Sequence, residues 1–355
     1  MNVLILKDNY KGVYNSFDEF YKVIIDMFIN NHIHIFIANT IDEAIYCLTN
    51  KRINFTLNIG QYHFYKDQKP LYDLYEVINY QWIIDNPLRY DNCDYYSKYN
   101  RMIFIDNSFK LFIQNNRSDY LTLPIPFKTQ TRRCQNKIDA IFAPIKIKSK
   151  SFFENLIDKS KEKELILDFL DKYDFDSSFG EFYCNYRETH QIINEKEFFE
   201  IVNGYIRIQK RLKSISSIKK HMVIIASNNP DNLIFSKNVV FINPLNYNKI
   251  ISTSKKYKYI LNCNPNFDYC IHDRVSYSIM EGTIVISDAN KLLKEIDMPL
   301  LYNYSETNID DIIDSITDYD LLLSKQVFAL SNFSSSIICS KIIENYNRFN
   351  FKSGD

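Results

Sequence analysis

Glycine is scarce in this chain, with six in 355 residues, so each one retained marks a place where the backbone needs positive φ or a close approach. Gly60 and Gly282 fall where a predicted strand meets a turn or a helix ends, and both are candidate ligand-approach positions. An excess of charge is also missing. The 43 basic and 43 acidic residues cancel, so no global field points to nucleic acid or an anionic membrane, and no nucleic-acid partner is expected. The seven cysteines (47, 93, 134, 184, 263, 270 and 339) form no CxxC pair. That excludes a zinc knuckle or a disulfide framework and leaves free, buried thiols. No stretch reaches about 18 apolar residues, and the opening MNVLILKDNY lacks the order of a signal peptide. A cytoplasmic protein is expected, with peripheral contact at the inner face of the membrane left open.

What is present is a core-forming composition, 46% apolar and 24% charged, over a length that suits two domains. MNVLIL, IHIFIAN, FTLNIG, YQWIID and RMIFID alternate with amphipathic stretches beginning near Ser16 and Ile41. Near-continuous apolar strands separated by helices predict a parallel sheet covered on both faces. After TLPIP at 122 to 126 the polar, basic run KTQTRRCQNK reads as a linker, placing the boundary near residue 135. IDAIFAPI then opens a second half. Two long helical spans follow, SFFENLIDKSKEKELILDFLDKY and EKEFFEIVNGYIRIQKRLKSISSIKK, and then MVIIAS, VVFIN, YILNCN and TIVISD alternate with helices. The expected fold class is α/β, two Rossmann-like doubly wound domains spanning 1–135 and 136–332, with 333–355 a terminal helix.

Ligands of such sheets sit beyond the carboxyl ends of the strands. After YILNCN, the residues His272, Asp273 and Arg274 begin a helix that ends at Gly282. The free amides of its first turn suit phosphate oxygens, and Arg274 offers a planar, permanently charged grip on a diphosphate. The plainer alternative is an N-cap pair beside a surface arginine.

The string LNCNPNFDYCIHDRVSYSIMEGTIVISDANKLL resembles the donor-binding segment of CgeB-like glycosyltransferases of the GT-B fold. With Lys258 just ahead of that string, the sequence supplies Lys258, Leu261, Asn262, Pro265, His272, Asp273, Arg274, Gly282, Ser287 and Asp288 in the family's order and near its spacing. YQWIIDNPLRYD is similar to the acceptor-side strand ending in D-[HN]-P, here Asp85, Asn86 and Pro87, and IFIDNSFKLFI and TLPIPF echo the next two strands. The resemblance implies two Rossmann-like domains facing across a cleft, with the terminal helix crossing back to the first. It also implies transfer of a sugar from a nucleotide diphosphate, UDP most of all, to a glycan, lipid-linked or protein hydroxyl, as in the building of bacterial cell-surface glycans.

The implied donor-side residues are Lys258, Asn262, His272, Asp273, Arg274, Tyr277, Glu281 and Gly282. Gly60 and Asn86 lie on the acceptor side, and Asp85 and His63 are candidate bases. No metal and no resident cofactor are expected. Arg274 and Lys258 take the cation's role, and the acidic pair in DFD at 174 to 176 reads as solvated surface. Where retaining relatives carry two glutamates eight apart, Tyr269 and Tyr277 stand. A catalytically silent binding or assembly subunit is therefore the main rival reading, and a nucleotide-sugar 2-epimerase is another. The basic end of YIRIQKRLKSISSIKKH reads as complementing the helix dipole.

Overall fold

A computed structural model describes residues 1–7, 16–60, 64–90, 97–113, 120–127, 136–229, 235–264, 266–306 and 308–352. His63, Pro265, Cys93, Cys134 and most of the expected linker lie outside the described residues. Contacts divide the chain into two compact units, Met1–Thr129 with Asn332–Asp355, and Gln130–Ser331.

The first unit opens with strands β1 (Asn2–Leu6), β2 (His34–Ala38) and β3 (Phe55–Ile59). A small antiparallel hairpin, β4 (Tyr65–Lys66) and β5 (Lys69–Pro70), is followed by β6 (Ile78–Ile83), β7 (Asn100–Phe104) and β8 (Tyr120–Thr122). The main sheet is wholly parallel in the order β2-β1-β3-β6-β7-β8. Helix α1 (Ser16–Asn30) buries Tyr21, Ile24, Met27 and Phe28, one stripe at helical spacing. The terminal helix, Ser335–Lys352, packs on the same sheet face: Tyr346 and Phe28 place their rings 5.4 and 6.0 Å from that of Phe55, and the Tyr80 hydroxyl donates to Asn345 Oδ1 at 2.8 Å.

The register puts Thr56 and Asn58 of β3, Asn79 and Gln81 of β6, and Asn100 of β7 on the opposite face. All five are at most 1% exposed. Strands expected to be almost uniformly apolar therefore carry an internal polar ladder. Thr56 donates to Asn79 Oδ1 (2.7 Å), the Asn79 amide donates to Asn58 and Asn100 (2.9 and 2.8 Å), and Asn100 donates to Gln81 (2.8 Å). Gln81 in turn donates to the carbonyl of Gly60 at 2.9 Å. A ladder that satisfies every member is stable, and one broken in the middle strands several buried groups. Asn79→Ala, which removes one hydrogen bond from each of three buried side chains, is expected to destabilise the first unit by about 3 kcal/mol, read as a lowered urea midpoint by circular dichroism.

TLPIP does not form the expected strand. β8 stops at Thr122, ahead of Pro124 and Pro126, which cannot donate to a ladder. IFIDNSFKLFI likewise leaves β7 at Phe104 and turns through a 3-10 helix over Asn107–Phe112, started by the Asp106 carboxylate, which accepts from Ser108 N at 2.7 Å.

The second unit has a parallel sheet of β9 (Ile138–Ala143), β10 (Val223–Ala226), β11 (Val239–Ile242), β12 (Tyr257–Asn262), β13 (Ile284–Asp288) and β14 (Leu301–Tyr302). Its order, β11-β10-β9-β12-β13-β14, is 3-2-1-4-5-6 counted along the chain, with the switch point between β9 and β12. Between β9 and β10 the helical region is more divided than its periodicity suggests. Lys150–Lys159 ends at Ser160, which caps it, and Lys163–Lys172 starts anew. Buried Glu162 sits at the break and accepts from Ile193 N at 2.6 Å. A further helix, Phe179–Thr189, precedes the long Glu195–Ser217 helix. The ring of Phe169 centres this bundle, with Phe182 at 4.9 Å and Tyr186 at 5.0 Å. Gly204 sits within the unbroken long helix, where a Cβ would come within 2.7 Å of the Phe153 ring. Two short helices, Ile309–Asp314 and Tyr319–Ala329, follow the last strand.

Candidate functional site at the carboxyl edge of the second sheet

Following β12, the chain loops to the helix Asp273–Met280, for which His272 is the N-cap. The side chains of His272 and Asp273 are 19% and 18% exposed, and His272 Nδ1 lies 2.6 Å from Asp273 Oδ1. The Tyr247 hydroxyl donates to the other carboxylate oxygen at 2.6 Å. Arg274 N also lies 3.1 Å from Nδ1. One ring nitrogen cannot both accept that amide and stand 2.6 Å from an anionic oxygen without a proton between them. The carboxylate contact is the stronger, so Nδ1 carries the proton and Nε2 is left as an acceptor. Burial opposes the charge on Asp273, but the His272 contact, the Tyr247 hydroxyl and Arg274 outweigh it and hold its carboxyl far below the usual range. Burial pushes the His272 imidazole down despite Asp273, which keeps it neutral.

Arg274 is 9% exposed. Its guanidinium donates to Asn262 Oδ1 at 3.2 Å and makes no ion pair among the described residues. From there hydrogen bonds run without a break. The Asn262 amide donates to Ser287 Oγ (2.8 Å) and Asn264 Oδ1 (3.2 Å), and the Asn264 amide donates to Asp288 Oδ1 (2.7 Å). The Tyr304 hydroxyl donates to Asp288 Oδ2 at 2.6 Å. Asp288 and Tyr304 line a polar cavity of about 160 Å³ over the ends of β12, β13 and β14. Burial raises the Asp288 carboxyl, while Lys210, Tyr304 and the Asn264 amide work to lower it.

Not every expected residue joins this group. Lys258 is the second residue of β12, about 13 Å along the strand from Asn262, and it pairs with Asp139 at 3.0 Å. Glu281 and Gly282 close the far end of the helix from His272, about 12 Å away. Gly282 takes φ 70°, its N–H donates to Ile279 O, and Thr283 N donates to Ser278 O, which is a Schellman cap. Its positive φ therefore ends a helix, and Lys258, Glu281 and Gly282 lie at the amino-terminal edge of the sheet. Lys258→Ala, which removes only a part-exposed pair, is expected to change the stability of the second unit by less than about 1 kcal/mol, read by thermal melting. Tyr277 is one turn below Asp273, its ring 6.1 Å from that of Tyr247, and burial pushes its hydroxyl upward.

In the first unit, Asp85 shares its carboxylate with Arg89 at 2.7 Å and Asn86 N at 2.9 Å. Asn86 caps the 3-10 turn Pro87–Arg89. Gly60, at the end of β3, takes φ 74° and receives the polar ladder at its carbonyl. DFD differs from the expectation of mere solvation. The exposed Asp176 carboxylate accepts from Tyr304 N and Ser305 N at 2.7 and 3.0 Å and helps line the cavity.

Sequence reasoning missed Lys210, on the long Glu195–Ser217 helix. The signal was available: Asn203, Lys210 and Ser214 recur at i, i+7 and i+11 among Phe199, Ile206 and Ile215, so a polar stripe lies on the apolar face. Among the described residues no group of three or more His, Cys, Asp or Glu side chains is placed to hold a metal, and no helix is long and apolar enough to cross a membrane.

No protein-family model matches the chain, and no curated protein matches it. Among solved structures it is similar to AviGT4, a glycosyltransferase involved in Avilamycin A biosynthesis, with TM-score 0.54 and 9% identity over 98% of each chain. It is similar also to an alpha-glucosyltransferase in complex with UDP-glucose and DNA containing an abasic site, with TM-score 0.55 and 8% identity over 98% of this chain and 99% of that one. A third is an alpha-glucosyltransferase in complex with UDP and a 13-mer DNA containing a HMU base, with TM-score 0.54, 10% identity and the same coverage. The expectation that nucleic acid is excluded is thereby corrected, because proteins of this architecture are held on DNA. A net charge of zero is a sum over the whole chain and says nothing of how charge is placed. At this identity the likeness establishes architecture: the chain has the GT-B fold, two parallel six-stranded sheets flanked by helices.

Proposed function

We propose that the protein is a glycosyltransferase that uses a nucleotide-diphosphate sugar, with the diphosphate at Arg274 and the first turn of the helix that His272 caps. The observation that carries this reading is a guanidinium nine-tenths buried, in no ion pair, at the carboxyl edge of a sheet in a GT-B chain. A buried guanidinium held by neutral groups and in no direct ion pair is costly, and an anionic ligand would supply the missing counter-charge. Transfer breaks the bond between the anomeric carbon and a phosphate oxygen. The electron pair departs on the phosphate, the acceptor oxygen bonds the carbon, and its proton goes to a base. Arg274 and the helix amides would stabilise the growing phosphate charge. Asp85 is our candidate base, although the Arg89 guanidinium competes for the lone pair it would use.

The transfer is proposed to need no metal, and UDP-sugars are the first donors to try, since UDP and UDP-glucose occupy proteins of like fold. Acceptors to screen are glycan, lipid-linked and protein hydroxyls and a DNA duplex. Release of nucleotide from UDP-, GDP- or dTDP-sugars by the full chain in divalent-free buffer, raised by one acceptor, supports the reading. Binding without turnover favours the silent subunit, for which Tyr277, a neutral hydroxyl where retaining relatives carry a carboxylate, is the specific observation. Epimerised sugar with no acceptor consumed would mark the epimerase.

A further inference from the structure

The cavity beside Asp288 holds two buried charges with spare hydrogen-bonding capacity. Lys210 is 7% exposed, yet its ammonium makes no ion pair or hydrogen bond among the described residues. It lies 5.6 Å from the ring centres of both Tyr173 and Tyr304. Asp268 is also 7% exposed. One of its oxygens accepts from Ser178 Oγ at 2.6 Å and Gly180 N at 3.2 Å, while the other accepts nothing from described residues. Burial pushes Lys210 down against the pull of Asp288 and Asp268, and pushes Asp268 up against Ser178, Gly180 and Lys210. The amide oxygen of Asn266, on the same cavity wall, also lacks a donor.

An ammonium offers only donors and a carboxylate only acceptors. A ligand that satisfies both must accept and donate from neighbouring atoms, and a pair of vicinal hydroxyls does that. Asp176, Asp268 and Asp288 face Lys210, Lys291 and Lys294 around the cavity, so the lining has no net charge to favour an anion, and its polarity disfavours an apolar group. The space is many times the roughly 10–15 Å³ that one water needs.

We propose that the cavity between Lys210 and Asp268 is a subsite for a vicinal diol on a neutral sugar ring. The inference rests on the donor reading above and extends it. The diol could come from the transferred hexose or from the ribose of the nucleotide, which share this chemistry.

The test is calorimetric titration of the full chain with UDP-glucose, GDP-mannose and dTDP-glucose, each beside the bare nucleotide and, for uridine and guanosine, its 2′-deoxy form. Lys210→Met and Asp268→Asn are measured in parallel, with thermal melting as the folding control. Wild type is expected to favour the diol-bearing ligand, and each folded variant to lose about tenfold to a hundredfold of that preference, the range of a charge-assisted hydrogen bond, while the bare or deoxy nucleotide binds as before. Loss of the hexose increment places the hexose in the cavity, and loss of the 2′-hydroxyl increment places the ribose there. Unchanged ratios in both variants overturn the subsite and leave the donor reading standing. Failure of wild type to bind any nucleotide overturns the donor reading instead. The cavity is then read with free glucose, galactose and mannose by saturation-transfer NMR: signals abolished by Lys210→Met uphold a diol site, and no signal overturns it.

Discussion

Arg274→Ala is expected to weaken nucleotide-diphosphate binding by about 30-fold to 1,000-fold while leaving the fold intact. Losing one partner of a desolvated charged contact typically costs about 2–4 kcal/mol of binding. The same change costs the unliganded protein less, because among the described residues the guanidinium is in no ion pair: it bonds Asn262 and the Tyr277 hydroxyl and acts on the Asp273 carboxylate only at longer range. A residue kept for folding would behave the opposite way. Arg274→Lys should recover only part of the affinity, since a point charge cannot reproduce a planar, two-pronged contact. Thermal shift and calorimetry with UDP, GDP, CMP and dTDP sugars against wild type and both variants decide it. Stabilisation by one nucleotide class, lost in Arg274→Ala, supports the site. Equal binding by wild type and Arg274→Ala removes the diphosphate from this helix, and no binding to folded wild type leaves the silent-subunit reading.

The second large effect concerns Asp273, whose carboxylate receives His272 and Tyr247 at 2.6 Å each. Asp273→Asn removes the charge that both buried donors address and is expected to destabilise the second unit by about 3 kcal/mol at neutral pH. The pH dependence has a definite sign. The folded carboxyl titrates below its ordinary 3.8, so in acid the unfolded chain binds the proton first. That stabilisation is complete above about pH 4 and is lost as pH falls through the folded value. His272 adds to the trend at higher pH. Its folded value is also lowered, from 6.5, so below about pH 6.5 the unfolded chain takes up a proton that the folded one refuses, and stability falls with pH there too. Thermal melting from pH 8 to 3 should therefore show the lead of wild type over Asp273→Asn steady down to about pH 4 and starting to narrow below it, as acid begins to remove the advantage. A constant gap down to pH 3 would mean that the carboxylate is not held as described.

Much of the architecture was open to reading. The alternation of apolar runs with 3.6-period stretches is a local property, and it located ten of the twelve strands of the two sheets within a residue or two, from MNVLIL to TIVISD. IHIFIAN, for example, contains β2 at His34–Ala38, and TIVISD contains β13 at Ile284–Asp288. Capping chemistry is equally local, which is why His272 could be placed at a helix start. Breaks inside helical runs were not legible, because Ser160 and Glu162 end and restart a helix through partners such as Ile193, 31 residues from Glu162. A short β8 was also hidden, since the expected strand was read across Pro124 and Pro126.

The sequence by itself determined which residue types stand near one another along the chain, and so the HDR segment, the doubly wound class and the scarcity of glycine. Only the tertiary structure decided which of them share an edge. A strand and the helix after it run in opposite directions, so residues a few positions apart, such as Lys258 and Asn262, or Asp273 and Glu281, end on opposite sides of the sheet. Lys210 and Asp288, 78 positions apart, meet on one cavity wall. Buried polar side chains are chosen by partners across space, and neither the ladder around Asn79 nor the Lys210 and Asp268 pair has a signature short enough for periodicity to reveal its partners.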